Sequence, residues 1–173
     1  LEVAPKAQAS ELIRGSRFDF AILPKPTSNE EGLVSQVFSE HAAVCVLPKD
    51  HPLTTKEIID IADFNAQRYL SLCEGSPFRA VIDSLFLQRE VEPELVLETR
   101  HQHTIYQLVA QGMGIALLDP FILKQKDERV CVRPVAPDII WQYALVHLED
   151  RPLSLLAHTF ITLLMEYFSK PVE

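Results

Sequence analysis

Short apolar runs alternate along this chain with stretches in which apolar residues recur every three or four positions, a pattern that predicts an α/β protein. The alternation is clearest from Arg100 to Pro120, RHQHTIYQLVAQGMGIALLDP. Ile105, Leu108, Val109 and Met113 fall on one helical face, with Thr104 or His103 placed to cap the first turn. Gly112 and Gly114 stop this helix, and Ile115 to Leu118 is short and apolar enough to be a strand buried on both sides, ended by Asp119-Pro120. Upstream, Tyr69 to Cys73 reads as a strand and Ser76-Pro77 as a helix start, because a serine cap precedes proline at the first helical position. Phe78, Val81, Ile82, Leu85 and Phe86 then keep helical spacing, and Glu94 to Glu98 is a further strand. Strand, helix, strand, helix, strand from Tyr69 to Leu118 implies a parallel sheet.

The flanking segments are less regular. Leu1 to Val3 is strand-like, Ser10 to Ser16 reads as the end of a helix closed by Gly15, and Phe18 to Leu23 is a strand broken by Pro24-Lys25-Pro26. After the polar loop Thr27 to Gly32, strands are predicted at Leu33 to Phe38 and Ala42 to Leu47, with a turn from Pro48 to Thr55 and a short helix capped by Thr55. A charged segment, Lys124 to Arg129, precedes strands at Val130 to Val135 and Ile140 to His147. A final helix from Ser154 to Ser169 aligns Leu156, Phe160, Leu163, Leu164 and Tyr167, and Pro171 follows it. The N-terminal strands are too few to enclose a core unless the C-terminal strand and helix complete it. The expected division is therefore a discontinuous lobe I, residues 1–38 and 137–173, with lobe II, residues 39–136, inserted. Leu1 is not an initiator methionine, so the chain is expected to start inside a larger protein, with lobe I incomplete at its N-terminus.

Composition narrows the functional classes. With 173 residues, 47% hydrophobic and 23% charged, this is the balance of a soluble globular protein, and a net charge of -8 argues against these residues gripping a phosphate backbone. No run reaches the ~18 apolar residues of a membrane span, and no cationic leader is present. Cys45, Cys73 and Cys131 are an odd number with no C-x-x-C pair, which suits buried free thiols in a reducing cytoplasm.

Ligands of open parallel sheets collect beyond the carboxyl ends of the strands, which directs attention to the loops after Tyr69–Cys73, Glu94–Glu98 and Ile115–Leu118. A carboxylate would find unpaired backbone donors at the helix starts of Ser76 and Thr104, and a bidentate partner in Arg100. An ammonium group would want Asp119 or Glu74. Each residue also has a plainer reading: Ser76 as a simple cap, Arg100 as a solvated side chain, Asp119 as a strand-ending residue that accepts a local backbone bond. His101-x-His103 lacks a thiolate or carboxylate partner at ligand spacing, so no metal is expected. No Gly-x-Ser-x-Gly elbow occurs and neither Ser71 nor Ser76 has a histidine placed with it by a motif, so no enzyme is expected. The candidate effector-binding set is Ser71, Glu74, Ser76, Arg100, His101, Gln102, His103, Thr104 and Asp119, without a cofactor.

Several fragments in order carry a family resemblance: Gly15 with Phe18-Asp19-Phe20-Ala21-Ile22, Val46-Leu47-Pro48 with His51-Pro52-Leu53, Tyr69-Leu70-Ser71-Leu72, Glu98-Thr99, and Leu108-Val109-Ala110 with Gly112-Met113-Gly114-Ile115-Ala116-Leu117-Leu118. Together they resemble the effector-binding domain of LysR-type transcriptional regulators. The resemblance implies a two-lobed type 2 periplasmic-binding-protein fold, each lobe a mostly parallel sheet flanked by helices, that binds a small effector between its lobes to control transcription. It also implies a preceding DNA-binding helix-turn-helix, a linker helix, and a first strand and helix of lobe I. Homodimers are implied, with Pro77 to Gln88 beside Val34 to Phe38 as a suitable interface, and tetramers in the full-length protein. Asp119-Pro120 and Ala144-Leu145-Val146-His147 before Arg151-Pro152-Leu153-Ser154 look most like regulators of amino-acid and opine metabolism, so the implied effector is amino-acid-like or a carboxylate. A periplasmic solute-binding protein shares the fold and is the alternative; an enzyme on this fold is a more distant one. Membrane contact is not expected.

Overall fold

The structure is a computed structural model that describes Glu2 and residues 6–15, 17–25, 30–123 and 127–168. Leu1 and Val3 of the strand-like start, Ser16, Pro26, Thr27 to Asn29 of the polar loop, Lys124 to Lys126, Ser169 and Pro171 lie outside the described residues. The elements in chain order are α1 (Lys6–Arg14), β1 (Phe20–Pro24), β2 (Leu33–Ala42), β3 (Val44–Pro48), β4 (Ile59–Asp60), β5 (Arg68–Leu72), α2 (Pro77–Gln88), β6 (Glu94–Thr99), α3 (Gln102–Ala110), β7 (Ala116–Leu118), β8 (Val130–Ala136), β9 (Ile140–Leu148) and α4 (Leu155–Phe168). They form two compact units, Leu1–Glu40 with Gln142–Glu173, and His41–Trp141. The chain passes between the units twice, once in β2 and once at the start of β9.

In the discontinuous unit the strand order is β1-β9-β2, with β1 antiparallel to β9 from Phe20 opposite His147 to Pro24 opposite Tyr143. Ala9 and Ile13 of α1 pack with Leu23 and Val146 into a small core, joined by Ala21, Leu33 and Leu148. The face of α4 differs from the expected one. Leu156, Leu163 and Tyr167 are 80%, 59% and 72% exposed, whereas the buried residue of this helix is Ala157. Phe160 stacks on Phe20 with ring centroids 5.4 Å apart. The helix is apolar almost all round, so spacing alone selects a stripe without saying which stripe meets the sheet, and the small Ala157 allows the closest approach.

In the inserted unit, β4-β8-β3-β7 form one sheet and β5-β6 another. A parallel bridge between Tyr69 and Ile115 links them, with Ile115 N–H donating to Arg68 O at 2.8 Å and Leu70 N–H to Ile115 O at 3.0 Å. β5 is parallel to β6 and β4 to β8, but β3 runs antiparallel to both β7 and β8, so the sheet is mixed rather than mostly parallel. The alternation of strands and helices covers only Tyr69 to Leu118, and β3 enters from outside it. A strand buried on both faces is an apolar run in either direction, so its sense is not written in its composition.

Local chemistry sets the helix ends. Ser76 Oγ accepts Arg79 N–H at 3.5 Å and Pro77 opens α2, as the Ser-Pro pattern predicts. At the other end of the unit, the short helix expected from Thr55 does not form. The Thr55 hydroxyl donates backward to Pro52 O within a 3-10 turn, Pro52–Thr55, and the next 3-10 turn, Ile61–Phe64, is capped by Asp60 with Asp63 bonding back to it. α3 starts at Gln102, with His101 at the cap position and no side-chain bond there, so neither Thr104 nor His103 caps it. Its end follows the glycine prediction: Gly112 has φ +81°, Gly112 N–H donates to Val109 O at 2.8 Å, and Met113 N–H to Leu108 O at 3.1 Å. Met113 consequently lies beyond the helix.

Tyr69, between Phe64 and Phe86 with ring centroids 5.9 and 5.4 Å away, anchors the core of this unit. All three cysteines are free, but only Cys45 is fully enclosed; Cys73 and Cys131 are half-buried. Burial pushes the Cys45 thiol far up, and neighbouring Cys131 adds to this. In native protein a disulfide reagent at pH 8 should therefore titrate Cys73 and Cys131 first and reach Cys45 only in denaturant. Equal rates for all three thiols would show that β3 is open to solvent.

Candidate functional site

The parallel strands β5 and β6, with β7 parallel to β5 through the Tyr69 bridge, point their carboxyl ends the same way. Every candidate residue lies at or just after one of these ends. Ser71 belongs to β5, with Glu74 and Ser76 in the loop behind it; Arg100 to Thr104 follow β6; Asp119 follows β7. Cys73 N–H donates to Thr99 O at 2.9 Å, which holds the first two loops side by side. Asp119 N–H donates to Gln102 Oε1 at 2.8 Å, which ties the third to the start of α3.

These residues separate by exposure and by their present bonds. Ser71 is 3% exposed and its hydroxyl donates to Tyr69 Oη at 3.4 Å, inside the core. Asp119 is 2% exposed. Its Oδ1 accepts Phe121 N–H at 2.9 Å and lies 3.0 Å from His41 Nε2, whose ring packs 4.3 Å from Phe121. That carboxylate links β2, the end of β7 and the turn after it. Ser76 is occupied as a cap, while Glu74, Arg100, His101, His103 and Thr104 are exposed. His103 packs loosely on Tyr106, with ring centroids 6.3 Å apart. Among the described residues no group of three or more His, Cys, Asp and Glu is gathered to hold a metal ion.

Arg79 is the residue that sequence reasoning missed. It lies in the first turn of α2 with its side chain 11% exposed, and its Nη1 donates to Leu72 O at 2.7 Å and to Glu98 Oε1 at 2.6 Å. Its Nε donates to both carboxylate oxygens of Asp83 at 2.7 and 2.6 Å. One guanidinium thus clamps the ends of β5 and β6 to the helix start between them. The i, i+4 pair with Asp83 was visible in the sequence; the pairing with Glu98 was not. Trp141, where β9 begins, packs edge-on against Phe78 of the same turn at 5.1 Å.

Comparison with known proteins supplies the class of protein and the family. The family model described as LysR substrate binding domain matches residues 1–169, and the chain belongs to that family. It is 30% identical over 118 residues to the transcriptional activator protein LysR of Escherichia coli K12, covering 68% of this chain and 38% of that protein. It is 27% identical over 173 residues to the regulatory protein NocR of Agrobacterium tumefaciens T37, covering 96% of this chain and 55% of that one. The chain therefore spans roughly half or less of the length of these curated relatives. The solved regulatory domain of CcmR from Synechocystis PCC6803, in complex with 2-PG, superposes with a TM-score of 0.81 at 25% identity over 94% of this chain and 79% of that one. The effector-binding domain of QuiR in complex with shikimate shares the fold, with a TM-score of 0.78 at 21% identity over 98% of this chain and 81% of that one. The chain thus has the α/β fold of LysR-type effector-binding domains. No helix among the described residues is long and apolar enough to cross a membrane.

Proposed function

We propose that this chain is the ligand-sensing part of a LysR-type transcriptional regulator and that it binds a small carboxylate or amino-acid-like effector at the carboxyl edge of β5, β6 and β7. The observation that carries this reading is the convergence of three loops on one edge, where the exposed Arg100 fork and the first N–H groups of α3 offer donors to an anionic oxygen. Glu74, His101, Gln102, His103 and Thr104 complete the contact set, with Ser76 at the neighbouring helix start. Ser71 and Asp119 support it from beneath. An ammonium group would be met by Glu74, since the Asp119 carboxylate is engaged with His41 and Phe121. The relatives that are regulators favour sensing over periplasmic transport, and the CcmR and QuiR domains are each solved with a small molecule, 2-PG and shikimate, which supports a small-molecule effector here.

To act as a signal the effector must bind one conformation more tightly than another, and ~1 to 3 kcal/mol of such coupling is typical. In the longer protein that difference would reach a preceding helix-turn-helix, the part that touches DNA, in the cytoplasm. Self-association to a homodimer, and to a tetramer in the longer protein, belongs to the same reading; Val81 of α2 and Val34 and Val37 of β2 are exposed at 45%, 36% and 38%. Sedimentation should show dimers at tens of micromolar; a monomer at every concentration removes this element.

The test of the binding reading is calorimetry with lysine, arginine, ornithine, diaminopimelate, an opine, shikimate and 2-PG. At least one should bind, and Arg100→Ala should weaken it by roughly tenfold or more, the usual loss for a hydrogen bond to a charged group. Silence from the whole panel would refute the ligand class. Affinity within twofold in Arg100→Ala would remove Arg100 from the site.

A further inference from the structure

Gln102 is the residue at this edge whose polarity the fold decides. A side-chain amide carries one acceptor oxygen and two N–H donors, and either end can face a ligand unless a neighbour chooses. Here the neighbour is Asp119 N–H, which donates to Gln102 Oε1 at 2.8 Å. A backbone N–H can be met only by an acceptor, so the amide cannot turn over without leaving that donor unpaired beside a strand end that is 2% exposed. Asp119 is itself held in place, since its side chain takes Phe121 N–H at 2.9 Å and lies 3.0 Å from His41. Gln102 is half-buried, and among the described residues its one side-chain bond is the one Oε1 accepts from Asp119 N–H. Gln102 opens α3 between His101 and His103, with Arg100 just before them, and the stretch Arg100 to Thr104 contains no acid.

We infer that Gln102, locked by the Asp119 backbone, is a specificity-determining residue that presents a fixed hydrogen-bond donor to the effector, which must place an anionic oxygen there and not an ammonium group. The inference rests on the proposed binding edge and sharpens it. Arg100, Gln102 Nε2 and the helix start then form a surface made only of donors. An amino-acid effector binds through its carboxylate end at this point, with any ammonium group directed elsewhere. A carboxylate and a phosphate share this chemistry; shikimate carries the first without an amine, and inorganic phosphate tests the second alone.

The decisive variant is Gln102→Glu. Its carboxylate still accepts Asp119 N–H, so a purely structural role survives, but the donor facing the ligand becomes a negative charge. Calorimetry should show roughly 10- to 100-fold weaker binding of whichever acid binds the wild-type protein, with a melting temperature within about 2 °C of wild type. An unchanged affinity would overturn the inference while leaving the binding edge in place. If no acid and no phosphate binds wild-type protein, the edge reading falls and takes this one with it. A second measurement guards against a misfolded variant: in wild-type protein the Gln102 side-chain NH2 resonances should move on saturation with the bound acid. If they stay still while backbone signals of α3 shift, Gln102 does not face the ligand. Tighter binding of a simple amine than of its matching acid would also contradict a donor-only surface.

Discussion

Gly114→Ala should be the most destabilising single-methyl change in the chain, costing roughly 2 to 4 kcal/mol. A Cβ on Gly114 would stand 2.4 Å from Arg68 O and 2.9 Å from its carbonyl carbon, so it meets backbone rather than a side chain that could swing away. That same carbonyl accepts Ile115 N–H at 2.8 Å, and Leu70 N–H returns a bond to Ile115 O at 3.0 Å. Relief of the clash must separate β5 from β7, which breaks the link between the two sheets of the inserted unit. Gly112→Ala is the internal control. It has φ +81° but nothing within 4 Å of the added methyl, so it should cost only the left-handed backbone penalty of about 1 to 2 kcal/mol. Urea unfolding followed by circular dichroism would rank the two. Equal costs would mean that the strands yield freely at this contact.

Arg79→Ala should follow, with a loss of roughly 1.5 to 3 kcal/mol. The guanidinium is 11% exposed, and its removal leaves Leu72 O and two carboxylates without their donors. Asp83 and Glu98 are 46% and 38% exposed, so water recovers part of the loss and holds the cost below that of a fully buried pair. Arg79→Lys should recover less than half, because one ammonium cannot span three acceptors that a planar fork reaches together. Since the clamp positions the loops of Ser76 and Arg100, effector affinity should fall alongside stability. A midpoint shift equivalent to less than about 0.5 kcal/mol in Arg79→Ala would show that the clamp is only a surface pairing.

Much of the inserted unit is legible in the sequence. The Ser76-Pro77 start, the Phe78, Ile82 and Phe86 part of the α2 face, the Gly112 stop and the buried Ala116–Leu118 strand are local matters, set by backbone sterics and by apolar spacing within a few residues, whereas Val81 of the expected face is exposed and Leu85 only half-buried. The family resemblance was legible for a similar reason, being carried by short fragments in order. The errors share the opposite character. Thr55 and Asp60 both offer a cap, and which one is used depends on where the strand ends, not on the residue alone. α4 is apolar around most of its circumference, so its own pattern could not name the face that meets β1.

The chain by itself determined where helices and strands can begin and stop, its net charge of -8, and the strand ends at which a ligand site should be sought, because these follow from residue type, charge count and spacing. Tertiary structure alone decided the antiparallel sense of β3, the clamp of Arg79 on Glu98, the placement of His41 against Asp119, and the orientation of the Gln102 amide. Each of these joins residues far apart in the chain. The contacts of Asp119 and Gln102 are settled by which buried donor or acceptor would otherwise be left unpaired, a condition that exists only once the strands have come together.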